Sequence, residues 1–240
     1  ELAGVRAGCK RHYSYRFLFI PATIGAITWL ARNHDHLHRI RNGMVLAGCG
    51  DSGPLTYKRS RRGTAEIDQA AAHVLRVCQA ETDLIDFKPY GYDERQYGSP
   101  GINLPMGRFS RTTFGEYPEY HSSADNLSFI SPEALSIALE KCLKILEIIE
   151  TNRSYRSLAP YGEPQLGRRG LYQSLGGVGD ESDLKMALLW VLNLSDGGAS
   201  LLEIADRSGI AYRTIRRAAA LLVRHELLEE LQPSEQPKQE

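Results

Sequence analysis

Apolar runs of strand length alternate with helical repeats through the first 150 residues, and this alternation confines the chain to few architectures. Residues 15–21 (YRFLFIP) are continuously apolar and aromatic and stop at a proline, the pattern of a buried strand. Residues 23–32 follow as a helix, with Ile24, Ile27, Leu30 and Ala31 on one face. Residues 33–42 read as a polar turn. Residues 43–49 (GMVLAGC) are a second buried strand, closed by the turn Gly50-Asp51-Ser52-Gly53-Pro54. Residues 57–62 (YKRSRR) are basic and read as a strand edge or loop. Residues 65–80 repeat Ile67, Ala70, Ala71, Val74, Leu75 and Cys78 at helical spacing, and residues 84–90 are a short strand. Ser131-Pro132-Glu133 opens a helix that runs to Glu150: serine caps, proline suits the first position, and glutamate complements the helix dipole. Its apolar face is Leu135, Ala138, Leu139, Cys142, Ile145, Leu146 and Ile149. This order predicts an α/β fold, a mostly parallel sheet with helices on both faces. Ligands of such sheets bind beyond the carboxyl ends of the strands, where Asp51 falls.

Residues 90–126 show neither period. A loop that long is uncommon in a compact domain unless it is functional or disordered. Five tyrosines and two phenylalanines argue against disorder. The stretch also carries Asp93, Glu94, Arg95, Glu116, Glu119, His121 and Asp125, so it is expected to wall a cleft.

A second, all-helical unit begins near residue 182. SLLEIADRSGIAYRTIRRAAALLVRHELL is a helix-turn-helix pattern: Ala205 lets the helices approach, Gly209 makes the turn, and Ile215, Ala218, Ala219 and Leu222 face the core. Residues 227–231 suit a wing strand. The predicted organisation is an α/β domain over 1–150, a glycine- and proline-rich linker over 151–181, a winged helix-turn-helix over 182–231 and a disordered tail over 232–240. Residues 1–10 read as the end of a helix, and a start in mid-pattern at Glu1 suggests a chain cut from a longer one.

The chain has 240 residues, 42% of them hydrophobic, and equal numbers (29 each) of basic and acidic side chains. Zero net charge gives no bulk attraction to nucleic acid or an acidic membrane. No apolar run approaches membrane-spanning length. Cys9, Cys49, Cys78 and Cys142 form no CxxC and read as buried free thiols, which points to a reducing cytoplasm. Within residues 182–231 six basic residues face seven acidic ones, so the unit lacks the basic footprint of a DNA-binding domain. Contact of Arg213, Arg216 and Arg217 with DNA is the alternative to a role in protein interaction or homo-oligomerisation.

Asp51, after an apolar strand in a tight turn, suits a metal ligand and equally a turn residue bonding its own backbone. His121, in YHSSADN, suits a zinc ligand or a surface turn. His34, His36 and His38 read as solvated. Lys58, Arg59, Arg61 and Arg62 read as a solvated strand edge, with phosphate or carboxylate binding as the alternative.

RFLFIPATIGAITWLA, GDSGPLTYKRSRRG, YDERQYGSPGINLP, GEYPEYHSSADN and GEPQLGRRGLY resemble bacterial aminopeptidase-like proteins of unknown function in the zinc aminopeptidase and glutaminyl cyclase superfamily. The resemblance spans almost the whole chain. It implies a catalytic-type domain followed by a winged helix, with metal at the carboxyl edge of the sheet. It assigns Asp51 and His121 as metal ligands and places Asp93, Glu94 and Arg95 in a substrate-pocket loop, with Glu94 as the replacement general base. The superfamily's Glu-Glu pair falls on Ala22-Thr23, so the usual base and one ligand are missing, and the early ligands fall upstream of Glu1. One zinc ion is therefore expected rather than two, or none on this chain alone. The function so implied is a zinc-dependent hydrolase of a small peptide-like or amide substrate. Its rival is a non-catalytic binding or regulatory protein that uses the winged helix for protein or DNA contact.

Overall fold

The computed structural model describes residues 11–78, 81–171 and 180–232. The helix end expected over 1–10 and the tail beyond 232 lie outside them. The chain divides into two compact units, Glu1–Glu150 and Thr151–Glu240.

The first unit is a mixed α/β domain. Its strands are β1 (Gly43–Leu46), β2 (Leu55–Lys58), β3 (Thr82–Ile85) and β4 (Met106–Ser110), in spatial order β1-β4-β2-β3. β1 pairs with β4 and β2 with β3 in parallel, while β4 and β2 are antiparallel. Its helices are α1 (Ile24–Arg32), α2 (Glu66–Arg76), α3 (Glu94–Tyr97) and α4 (Pro132–Thr151).

Alternation along β2 and β4 gives the sheet two unlike faces. Tyr57 lies opposite Phe109, both wholly buried. The Tyr57 hydroxyl donates to Asp68 Oδ1 of α2 at 2.9 Å. Ile67, Ala70, Ala71 and Val74 of α2 are buried with it. A Cβ on Gly107 would stand 2.0 Å from the Tyr57 hydroxyl, so only glycine lets the ring cross β4 there. On the other face Thr56 lies opposite Ser110 and Lys58 opposite Arg108. α3 covers this face through Glu94. Toward β1 it becomes apolar: Ala26 and Leu30 of α1 cluster with Leu37, Tyr97 and Leu104, against Val45 and Met106.

Several expectations change. Residues 15–21 form no strand; they run as irregular chain with Phe19 90% exposed, because no described strand pairs with them. The inward face of α1 is Ala26 and Leu30, while Ile24 and Ile27 are exposed. The polar turn over 33–42 is largely a 3-10 helix, His34–Arg39, anchored by buried Leu37. The basic run at 57–62 is not a solvated edge at its start: β2 is an inner strand, and Lys58 is buried. The stretch 90–126 is not without regular structure, since it contains α3 and the inner strand β4.

The second unit contains β5 (Ser154–Ser157), α5 (Asp180–Leu194), β6 (Asp196–Ser200), α6 (Leu201–Ser208), α7 (Tyr212–Arg224) and β7 (Leu228–Glu230). β5 is the middle strand of the sheet β6-β5-β7, antiparallel to both neighbours. Residues 154–157 are therefore part of the winged unit rather than of a linker. Their apolar content is too low to reveal a strand by periodicity. Ser200 caps α6: its hydroxyl accepts from the Glu203 N–H, and the Glu203 carboxylate accepts from the Ser200 N–H, a reciprocal capping box. Gly209 ends α6 with φ 70°, the left-handed conformation of a helix stop. Ala205, Ile215, Ala218, Ala219 and Leu222 are all buried, as the helix-turn-helix pattern requires.

Candidate functional site

β1 and β4 run parallel, so their carboxyl ends share one edge of the sheet. Asp51 follows β1 and Thr112 follows β4. Asp51 Oδ1 accepts from the Thr112 hydroxyl at 2.5 Å, the Thr112 N–H at 3.3 Å and the Gly53 N–H at 2.9 Å. All of these bonds fall on one oxygen, and Oδ2 takes no part in them. Asp51 as a whole is 4% exposed. Arg111 clamps the same turn, donating to the Gly53 carbonyl at 2.6 Å and to the Ala134 carbonyl at 3.4 Å. The start of α4 is tied in by the Ser131 N–H, which donates to the Gly50 carbonyl at 2.9 Å. Asp51 is thus a turn residue bonding its own backbone, at the carboxyl edge of the sheet.

Five aromatic residues of the 90–126 stretch form a continuous layer. Tyr90 and Tyr92 pack on Phe114 at 5.3 and 5.0 Å, Phe114 on Tyr120 at 5.8 Å, and Tyr120 on Tyr117 at 5.7 Å. Tyr117 stacks on Phe129 at 5.1 Å. The Tyr117 phenol is raised by burial, and then by the negative charges of Asp125 and Asp51. Sequence reasoning counted Asp125 in the cleft wall without giving it a role and did not single out Tyr117; the density of aromatic and acidic residues in that stretch is the signal that marks them.

His121 is exposed, takes a left-handed φ of 57°, and stacks on its neighbour Tyr120 at 4.0 Å. Among the described residues no group of three or more His, Cys, Asp or Glu is placed to hold a metal ion. A zinc site needs at least three protein ligands, and the described side chains do not supply that set.

The acidic segment at 93–95 is built into the scaffold. Asp93 Oδ1 accepts the Thr23 N–H at 2.5 Å and so holds the start of α1, where Thr23 has φ 62°. Glu94 is wholly buried and pairs with Lys58 Nζ at 2.8 Å. Lys58 also donates to the Tyr90 carbonyl at 2.7 Å and lies 5.3 Å from the Phe87 ring centre. Arg95 is half-buried, and among the described residues its Nε has no hydrogen-bond partner. Arg213 and Arg217 lie one turn apart on the exposed face of α7, while Arg216 is half-buried.

Comparison with known proteins gives a family. A family described as a domain of unknown function (DUF4910) matches residues 2–152, and a winged helix-turn-helix family matches residues 153–230. A Clostridium acetobutylicum protein named "Putative polysaccharide biosynthesis protein with aminopeptidase-like domain" is 49% identical over 219 residues. That match covers 91% of this chain and 50% of the relative. The crystal structure of a "putative peptidase" from Clostridium acetobutylicum superposes with a TM-score of 0.87 at 45% identity, over 96% of this chain and 51% of that one. The chain thus spans about half the length of the relatives it matches. Among the described residues no helix is long and apolar enough to cross a membrane. The chain belongs to the DUF4910 family, joined to a winged helix-turn-helix unit.

Proposed function

We propose that the first unit belongs to an aminopeptidase-like, zinc-dependent hydrolase acting on a small peptide-like or amide substrate. The observation that carries this reading is Asp51. It lies at the carboxyl edge of the sheet, with its hydrogen bonds gathered on Oδ1 and Oδ2 left for a ligand. Hydrogen bonds to one carboxylate oxygen hold the other in place for a metal ion. His121 is the second ligand in this reading, with one ion bound. Tyr117, its phenol raised by burial and then by the negative charges of Asp125 and Asp51, offers a hydroxyl donor in this reading. Asp93 and Arg95 shape the substrate side. The free thiols Cys49, Cys78 and Cys142 agree with a cytoplasmic setting.

A non-catalytic binding or regulatory role is the second reading, and two observations favour it. No three-ligand group occurs among the described residues. Glu94, the replacement base, is sealed in an ion pair with Lys58, and a general base must reach the proton it abstracts. In this reading the winged helix makes the functional contact, through self-association or through DNA at Arg213, Arg216 and Arg217.

Metal analysis of the full-length protein decides between them. One zinc per chain, lost in Asp51→Asn and in His121→Ala, supports the hydrolase. Protein that purifies without zinc, with neither substitution changing its metal content, ends that reading. A salt-dependent DNA shift, abolished when Arg213, Arg216 and Arg217 become alanine, is the signature of the DNA alternative.

A further inference from the structure

The face of the sheet opposite α2 carries four buried polar side chains in a block: Thr56, Lys58, Arg108 and Ser110, each 3% exposed or less. Two cations stand directly across from each other, Lys58 and Arg108. Like charges in that relation destabilise a sheet. Lys58 has its counter-ion in Glu94. Arg108 has none: among the described residues its only contacts of note are two ring faces, Tyr92 at 5.6 Å and Phe114 at 6.0 Å from the guanidinium carbon. Its Nε is buried without a hydrogen-bond partner, and so is the Ser110 hydroxyl two residues along the same face.

These features set the charge of the ligand. Lys58 and Glu94 cancel, so among the described residues Arg108 is left as a buried positive charge without an ion-pair partner. A buried cation without a counter-ion is costly, and buried polar groups are satisfied almost without exception. Ring faces on the guanidinium stabilise its charge but accept none of its in-plane N–H bonds. A planar monoanion answers both needs, since a carboxylate matches the guanidinium fork and supplies one negative charge. The aromatic layer over Arg108 is the same one that runs through Phe114 and Tyr120 to Tyr117.

We propose that Arg108, with Ser110 as a second donor, is the anchor of a carboxylate-binding subsite beneath Tyr92 and Phe114. Its ligand is a small molecule with a free carboxylate. If the hydrolase reading holds, the substrate is a short peptide-like or amide compound whose carboxylate docks on Arg108; that extension rests on the hydrolase reading, while the subsite itself does not.

Binding to the full chain tests the subsite without involving metal or turnover. N-acetylglycine, its methyl ester and inorganic phosphate are titrated at constant ionic strength. Heat is recorded together with the Arg108 Nε–Hε nuclear magnetic resonance signal, assigned by its loss in Arg108→Met. The expected result is saturable binding of N-acetylglycine that shifts this signal. Binding should weaken at least ~10-fold in Arg108→Met and ~3-fold or more in Ser110→Ala, with the ester inert. Equal binding of acid and ester, an unmoved Arg108 signal, or unchanged affinity in Arg108→Met overturns the proposal. Tighter binding of phosphate than of carboxylate overturns the ligand class. If Arg108→Met does not fold, Ser110→Ala and the acid–ester comparison on the unaltered chain decide. Loss of the zinc reading leaves these outcomes untouched.

Discussion

Thr112 donates both its hydroxyl, at 2.5 Å, and its backbone N–H, at 3.3 Å, to the same oxygen of Asp51. This joins the carboxyl ends of two parallel strands, because Asp51 follows β1 and Thr112 follows β4. A hydrogen bond to a buried carboxylate contributes more than a neutral one. Thr112→Val should therefore cost about 1.5–3 kcal/mol, while Thr112→Ser retains most of the stability. Urea unfolding of the three proteins checks this. Equal midpoints for Thr112→Val and the parent chain would mean that the hydroxyl does not hold Asp51.

The same contact makes Gly53 irreplaceable. A Cβ there would lie 1.9 Å from the Thr112 hydroxyl oxygen and 2.9 Å from Asp51 Oδ1. Gly53→Ala must push the threonine off the aspartate. It should be coupled to Thr112→Ala: the double variant is expected to be more stable than the sum of the single effects by about 1 kcal/mol, within the range for contacting residues. Strict additivity in denaturant melts would remove the steric account.

The buried pair Lys58–Glu94 makes an asymmetric prediction. Breaking a buried ion pair by removing one partner typically costs about 3–5 kcal/mol. Here the partners are not equivalent, because Arg108 sits across the strand from Lys58. Lys58→Met leaves the Glu94 carboxylate on a face that still carries one cation, Arg108. Glu94→Gln leaves two buried cations facing each other. Glu94→Gln should thus be the more destabilising of the two, and Lys58→Met/Glu94→Gln should recover part of its loss. Guanidinium unfolding curves give the order directly; a reversed order would show that Arg108 does not act on the pair.

That asymmetry also explains what could be read from the sequence. The helix-turn-helix was legible because its signals are local: apolar residues at helical spacing, a small residue at the crossing, a glycine at the stop. The α/β class and α2 were legible for the same reason. β4 was not, since its inward-facing residues on one side are Arg108 and Ser110, and a strand with polar groups inside breaks the alternation that identifies strands. Lys58 was hidden likewise: a lysine in YKRSRR looks solvated until Glu94, 36 positions later, arrives beside it. Local rules fail where a fold carries buried polar groups, and such places are where function is to be sought. Asp51 was legible by its place after a strand. Its tie to Thr112 is 61 residues distant in sequence and has no local signature.

The capping box of α6 sets the stability of the second unit. Ser200 Oγ accepts from the Glu203 N–H at 3.3 Å, and Glu203 Oε2 accepts from the Ser200 N–H at 2.7 Å. Ser200→Ala removes one arm and should cost about 0.5–2 kcal/mol. Ser200→Thr should preserve it. Hydrogen exchange at the Glu203 amide is the discriminating measurement: it should accelerate in Ser200→Ala and stay slow in Ser200→Thr. An unchanged rate in the alanine variant would show that the cap does not protect this turn.

The thiols make the chain sensitive to alkali. Burial pushes Cys49 from 9.0 up to about 11 and Cys142 from 9.0 up to about 12. A group whose folded pKa lies above its unfolded value favours folding while it holds its proton. That contribution is whole below pH 9.0 and is lost as pH rises through about 11 for Cys49 and about 12 for Cys142. Stability should therefore decline from pH 9 upward, and Cys49→Ala should flatten the first part of the decline. Reactivity gives a second check at milder pH. A two-unit rise lowers the thiolate fraction on the order of 100-fold, so iodoacetamide at pH 8 should modify Cys49 correspondingly more slowly than a free thiol. Alkylation of Cys49, a half-buried thiol, at the free-thiol rate in the folded chain would contradict its raised pKa.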